Sequence, residues 1–213
     1  MKYKAVIFDL DGVICHTDRY HYQAWKQIAD EIGAYCDETI NNRLRGVSRA
    51  ESLEIILESY PGQLSQEEKD HYLKKKNELY RSLLKNMSPA DLDPEVKDTM
   101  DRIRACGILM AIGSSSKNTP FILQRLGLEH YFDAVVDGNQ ITRSKPDPEV
   151  FLKAGAALGV DPQFCLVVED AESGIRAAMA ANMDCAAIGD GAQSSLASYR
   201  LRHLADLLPI LGA

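Results

Sequence analysis

The sequence predicts an α/β protein: a doubly wound, Rossmann-like parallel sheet core with an all-helical cap domain inserted into it. Three observations carry that reading. Short apolar runs ending in polar residues recur at 5–8 (AVIF), 108–113 (ILMAIG), 134–136 (AVV) and 165–168 (CLVV), the pattern of strands buried on both faces. Helical pattern separates the runs, and alternating strand and helix builds a doubly wound sheet. Residues 18 to 90, by contrast, carry helical periodicity and no convincing strand.

Taken in order, the run Ala5-Val6-Ile7-Phe8 ends in two like charges, Asp9 and Asp11, followed by Gly12, which lets the chain turn. The insertion shows three apolar stripes: Trp25, Ile28, Ala29, Ile32; then Leu53, Ile56, Leu57; then Leu73, Tyr80, Leu83, Leu84. Its second helix opens on Ser48-Arg49-Ala50-Glu51, a capping-box pattern that makes Arg49 the first helical residue. The expected division is a core of residues 1–16 and 92–213 and a cap of 17–91, joined by two crossings of the chain that permit a hinge. Beyond the cap, Asp93 and Pro94 open a helix that stops at Gly107, and Pro148 opens another that stops at Gly159. Ligands bind at the carboxyl ends of strands in such sheets, where Asp9, Asp11, Ser114, Glu169 and Asp170 fall. The chain shows no internal repeat and no low-complexity segment.

Composition narrows the function. The 213 residues, 46% hydrophobic and 26% charged, suit one substantial core with a small second domain. A net charge of -7 and a pI near 5.3 argue against nucleic-acid or anionic-membrane partners, which want a basic face. An anionic substrate then needs a local cationic pocket. Five widely spaced cysteines without a CxxC pair favour neither a disulfide framework nor a zinc site. The absence of a signal h-region and of an apolar span of about 18 residues points to the cytoplasm.

The motifs suggest chemistry. Residues two apart on an extended strand point the same way, so Asp9 and Asp11 can face one reacting group together. An aspartate can act as nucleophile to give an aspartyl-phosphate, and these carboxylates with Asp170 suit Mg²⁺. A DxD pair alone is common and reads equally as an acidic strand end solvated in a turn. Two further acids, Glu169-Asp170, at a buried strand end are hard to explain without a cation. Ser114-Ser115-Ser116-Lys117-Asn118 joins a strand to a helix, where hydroxyls and free N–H groups can face an anion, or can simply form a serine-rich turn. Lys145 lies in a loop stiffened by Pro146 and Pro148 and can hold a phosphate oxygen, although most loop lysines are only solvated.

In the cap, Lys76 shares the stripe of Leu73, Tyr80 and Leu83, so its ammonium points inward, either into a site or along the apolar surface to water. His21 sits four before Trp25 on the same face, where a satisfied core histidine is the commoner case. Arg49 is a cation at the positive end of its helix, which hints at an anionic ligand or a solvent-exposed side chain.

Asp9-Leu10-Asp11-Gly12-Val13, Ser114, Lys145 and Glu169-Asp170, in that order and spacing, resemble the haloacid dehalogenase superfamily of phosphotransferases. FDLDGVI, YHYQAW, RLRGVSRAESL, KKKN, SPADL, SSSKN and SKPDPEVF are similar to the β-phosphoglucomutase family within it, cap segments included. The resemblance implies an Mg²⁺-dependent enzyme that interconverts β-D-glucose 1-phosphate and β-D-glucose 6-phosphate through β-D-glucose 1,6-bisphosphate, with a sugar-phosphate phosphatase as the alternative on the same scaffold. It makes Asp9 the nucleophile and Asp11 the general acid and base. Asp9, the Asp11 backbone carbonyl and Asp170 hold Mg²⁺, with Glu169 at or near its shell. Ser114 and Lys145 grip the transferring phosphoryl, and Arg49, Ser116, Lys117 and Asn118 the distal phosphate. Gly46, Val47, Trp25, His21 and Lys76 line the cap side of the sugar pocket, and Thr17 sits on the hinge. The implied partners are small sugar phosphates, and the chain is expected to be a monomer. One departure is visible: His16 stands before the hinge threonine where an aspartate is usual.

Overall fold

A computed structural model describes residues 2–45 and 47–212. Six strands, β1 (Ala5–Phe8), β2 (Leu109–Gly113), β3 (Ala134–Val136), β4 (Cys165–Glu169), β5 (Asp184–Ala187) and β6 (Tyr199–Arg200), form one sheet in the order β3-β2-β1-β4-β5-β6. Every neighbouring pair is parallel. β1 lies between β2 and β4, with Ala5 in register with both Leu109 and Cys165. Its four side chains alternate between two apolar clusters: Val6 and Phe8 pack on one face, Ala5 and Ile7 on the other. Burial of each large apolar side chain contributes about 1.5–3 kcal/mol, which is why this run forms the central strand.

Four helices precede β2 in the insertion: α1 (Asp18–Ile32), α2 (Glu38–Arg43), α3 (Arg49–Leu57) and α4 (Gln66–Leu84). α5 (Pro94–Ala105), α6 (Thr119–Leu126), α7 (Glu149–Leu158), α8 (Glu172–Ala180) and α9 (Leu207–Leu211) follow. The punctuation is as the residues suggest. The Asp93 side chain accepts from the Glu95 N–H at 2.8 Å to start α5, and Gly159 adopts the left-handed conformation that ends α7. Trp25, Ile28, Ala29 and Ile32 of α1 bury against Leu53 and Ile56 of α3 in a cluster of their own. Tyr20, Ala24, Tyr80, Leu84 and Met87 instead join the cluster on one face of the sheet. The insertion thus has its own core at one end and shares the sheet's core at the other.

β5, β6, α2, α8 and α9 are the elements that the sequence pattern does not single out. Asp184-Cys185-Ala186-Ala187 is too short and too small in side-chain volume to register as an apolar run, and β6 is two residues long. No helix among the described residues is long and apolar enough to cross a membrane, and the five cysteines are free.

Candidate active site

The carboxyl ends of β1, β2 and β4 meet beneath α1, α3 and α4. The Asp9 N–H donates to the Val168 carbonyl at 2.9 Å, which extends the β1–β4 ladder into the site. Gly12 follows at φ +91°, and a Cβ there would coincide with the Asp170 carboxylate. Only glycine both makes this turn and leaves the acid its room. Gly174 in α8 does the same for Glu169, since a Cβ there would fall on that carboxylate.

Asp9, Glu169 and Asp170 are buried, and each offers a carboxylate oxygen within 4.8 Å of the others. Lys145, 1% exposed, donates to Asp9 and to Glu169 Oε1 at 2.6 Å. The second oxygen of Glu169 accepts from the N–H groups of Asp170 and Ala171 at 2.9 and 3.0 Å. Glu169 is therefore held from both sides, whereas Asp9 and Asp170 keep oxygens free. Lys145 and an Arg45 guanidinium 3.9 Å from Asp170, itself shared with Asp18 and Asp190, do not balance these carboxylates and leave uncompensated negative charge in a buried site. Desolvation, which Lys145 opposes and the Glu169 charge augments, pushes Asp9 up to about 7. Desolvation, then Glu169 and Asp9, push Asp170 up to about 8. Burial works against the Lys145 charge, but Asp9 and Glu169 overcome it and hold the ammonium well above its ordinary range. An all-oxygen donor set with surplus negative charge fits a hard divalent cation such as Mg²⁺.

Asp11 stands apart from this cluster. It accepts from the Thr17 hydroxyl, and Thr17 in turn accepts from the Tyr80 hydroxyl at 3.0 Å. Desolvation raises the Asp11 carboxyl to about 6 against the opposing Thr17 hydrogen bond, while the Asp18 charge adds to the rise. Thr17 is fully buried where β1's loop enters α1. In α4, Lys76 is buried rather than extended to the outer surface: its ammonium lies 2.9 Å from His21 Nδ1 and over the rings of Trp25 and Tyr80, 4.9 and 4.6 Å from their centroids. Burial first, then the neighbouring Arg49 charge, hold Lys76 well below its ordinary value. Burial and the Lys76 charge do the same to His21. Arg49 opens α3 behind a complete Ser48–Glu51 capping box, and no acid pairs with it among the described residues. Burial lowers its pKa. It is a half-buried cation without a counter-ion among the described residues.

Past β2, the Ser114 hydroxyl accepts from the Ser116 N–H at 3.1 Å and the Ser116 hydroxyl from the Asn118 N–H at 3.2 Å, giving a tight turn. The Asn118 side chain reaches across to α4, donating to Asn77 at 2.9 Å and accepting from Arg81 at 3.3 Å.

One cavity of about 380 Å³ is lined by Asp9, Asp11, Ser114, Lys145, Glu169 and Asp170 from the sheet side, and by His21, Trp25, Val47, Arg49 and Lys76 from the helical side, with Ser116, Lys117 and Asn118 also lining it. Thr17 reaches the site through Asp11, and Gly46 lies outside the described residues. The sequence reading does not find Tyr80 as a site residue, nor Arg45. The Arg45 guanidinium donates to Asp18 and, at 2.7 Å, to Asp190. Its partners lie 27 and 145 positions away, so no local pattern signals it.

Residues 3–182 match the haloacid dehalogenase-like hydrolase family. The chain belongs to that family and is an enzyme of it. Its likeness within the family runs to β-phosphoglucomutases. It is 41% identical over 207 residues, 96% of this chain and 91% of the relative, to the β-phosphoglucomutase of Bacillus subtilis (strain 168). The crystal structure of the β-phosphoglucomutase of Clostridium difficile superposes with a TM-score of 0.89 at 36% identity, covering 96% of this chain and 93% of that one. A fructose-1-phosphate phosphatase of Escherichia coli (strain K12) is 37% identical over 188 residues, 86% of this chain and 95% of that one.

Proposed function

We propose that the chain is a mutase that interconverts β-D-glucose 1-phosphate and β-D-glucose 6-phosphate through β-D-glucose 1,6-bisphosphate and an aspartyl-phosphate on Asp9. The observation that carries this reading is that Arg49, without an acid partner among the described residues, lines the same cavity as the acid cluster. A phosphatase needs one phosphate site; a bisphosphate that turns end for end needs a second cation site at the distance of the sugar.

In this reading a free oxygen of Asp9 takes the phosphoryl group, and Lys145 and Ser114 hold the transferring oxygens. Asp11, oriented by Thr17, gives a proton to the departing sugar oxygen and removes it from the attacking hydroxyl, a task suited to a carboxyl with a pKa of about 6. Arg49, Ser116, Lys117 and Asn118 hold the distal phosphate. Trp25, Val47, His21 and Lys76 bound the sugar, with the Lys76 ammonium available to a sugar oxygen. Mg²⁺, held by Asp9, Asp170 and the Asp11 carbonyl with Glu169 supporting, would neutralise charge on the transferring phosphoryl. The surrounding helices exclude water, which separates transfer to a hydroxyl from hydrolysis.

The same proposal treats residues 17–91 as a cap hinged at Thr17 on a core of 1–16 and 92–213, supported by the separate apolar cluster around Trp25. It places a monomer in the cytoplasm with sugar phosphates as its partners. The likeness to the fructose-1-phosphate phosphatase keeps a sugar-phosphate phosphatase as the second reading. A coupled assay decides between them. Protein, β-glucose 1-phosphate, Mg²⁺ and a trace of glucose 1,6-bisphosphate should yield glucose 6-phosphate without free phosphate; free phosphate alone would overturn the mutase reading.

A further inference from the structure

Beside the cavity, Arg45, one of its lining residues, makes an ion pair that the reaction above does not use. Arg45, in the loop between α2 and α3, directs Nη1 to Asp190 at 2.7 Å and lies 3.9 Å from Asp170. Its Nη2 donates to Asp18. Asp18 opens α1 in the helical layer, and Asp190 sits in the turn after β5 in the sheet layer. One guanidinium therefore ties the two layers together beside the acid cluster. Its Nε is buried and has no hydrogen-bond partner, so the carboxylates alone fix the head group. The Asp190 side chain is 76% exposed, so Asp190 itself is left in water rather than buried when the contact opens. A contact that biases closure yet releases at low cost has these properties. Asn118 also crosses to Asn77 and Arg81 of α4, and Arg125 to the Lys85 and Met87 carbonyls, contacts without a pair of opposite charges.

We propose that the Arg45–Asp190 pair is a latch between the helical and sheet layers, and that its closed fraction sets how often the phosphoryl group on Asp9 passes to water instead of a sugar hydroxyl. The inference rests on the mutase reading. In the leak, the bond between phosphorus and the Asp9 oxygen breaks as a bond to a water oxygen forms. The water proton passes to Asp11, and inorganic phosphate leaves with Asp9 restored as a carboxylate.

Asp190→Asn removes the charge at an exposed position and keeps the size. Glucose 6-phosphate and inorganic phosphate are followed in parallel from β-glucose 1-phosphate with Mg²⁺ and the bisphosphate primer. The phosphate released per glucose 6-phosphate formed should rise about two- to fivefold, the range of a partly exposed ion pair. Asp190→Glu should restore the parent ratio. Salt near about 1 M, where the screening length falls to about 3 Å, should raise the ratio in the parent and leave Asp190→Asn unmoved. An unchanged ratio in Asp190→Asn, with the parent making glucose 6-phosphate, overturns the latch. A parent that releases phosphate alone overturns the mutase reading instead.

Discussion

Asp170 shares its space with Gly12 and Gly191: a Cβ at the first would fall on the carboxylate, and one at the second would lie 2.8 Å from the Asp170 carbonyl carbon and oxygen. Gly12→Ala therefore combines a strained φ, costing about 1–2 kcal/mol, with displacement of an acid assigned to the metal. The expected result is a half-saturating Mg²⁺ concentration raised about tenfold or more, the effect of disturbing a ligand's support, read from initial rates as Mg²⁺ is titrated. Tyr80→Phe is a gentler probe. It deletes only the hydroxyl that donates to Thr17, and Tyr80 does not line the cavity. Its kcat should fall about three- to tenfold, the worth of one buried hydrogen bond, with KM for the sugar phosphate unchanged. The sequence makes Lys76 legible as an inward-pointing cation, because its spacing from Leu73 and Tyr80 fixes the helix face. What the ammonium meets there, His21, is 55 positions away and visible only in the fold.

Among the elements, the segment leading to Lys145 is held by one carboxylate. Glu149, in the first turn of α7, accepts from the Thr142 and Arg143 N–H groups at 3.0 and 2.8 Å and from Lys153 at 2.6 Å. The Lys153 hydrogen bond, with those backbone donors, lowers the Glu149 carboxyl from its ordinary 4.5 to about 2. A depressed folded-state pKa stabilises above the unfolded value and loses that contribution as pH falls towards the folded one. Glu149→Gln should therefore unfold at lower urea than the parent at neutral pH, with the gap closing between about pH 5 and 2. How each element is buried decides whether its residues make it legible in the sequence. β1, β2 and β4 are legible because a strand covered on both faces needs an uninterrupted apolar run. β5 is not, because Ala186 and Ala187 are small enough to be buried without advertising it. α2, Glu-Thr-Ile-Asn-Asn-Arg, has no buried residue and so no stripe.

At the scale of the whole molecule, the Mg²⁺ proposed for the site should act as a folding ligand as well, since Asp9, Glu169 and Asp170 converge only in the folded chain. At about a hundred times its Kd a ligand of the folded state adds about 2.7 kcal/mol, roughly 5–10 °C in Tm for a chain of this size. Thermal melts with EDTA and with Mg²⁺ check this, and chelation should also abolish turnover. The acid cluster has another consequence, which concerns the order of assembly. Lys145 and Asp9 are 136 positions apart, while helices such as α1 and α4 close on contacts within their own turns. Long-range closure is slow relative to local structure, so after dilution from denaturant the far-ultraviolet helical signal should recover before activity does. A chain that has wound its helices but not yet seated β1 between β2 and β4 carries ordinary aspartates in open water, and acquires a reactive centre only when its two ends meet.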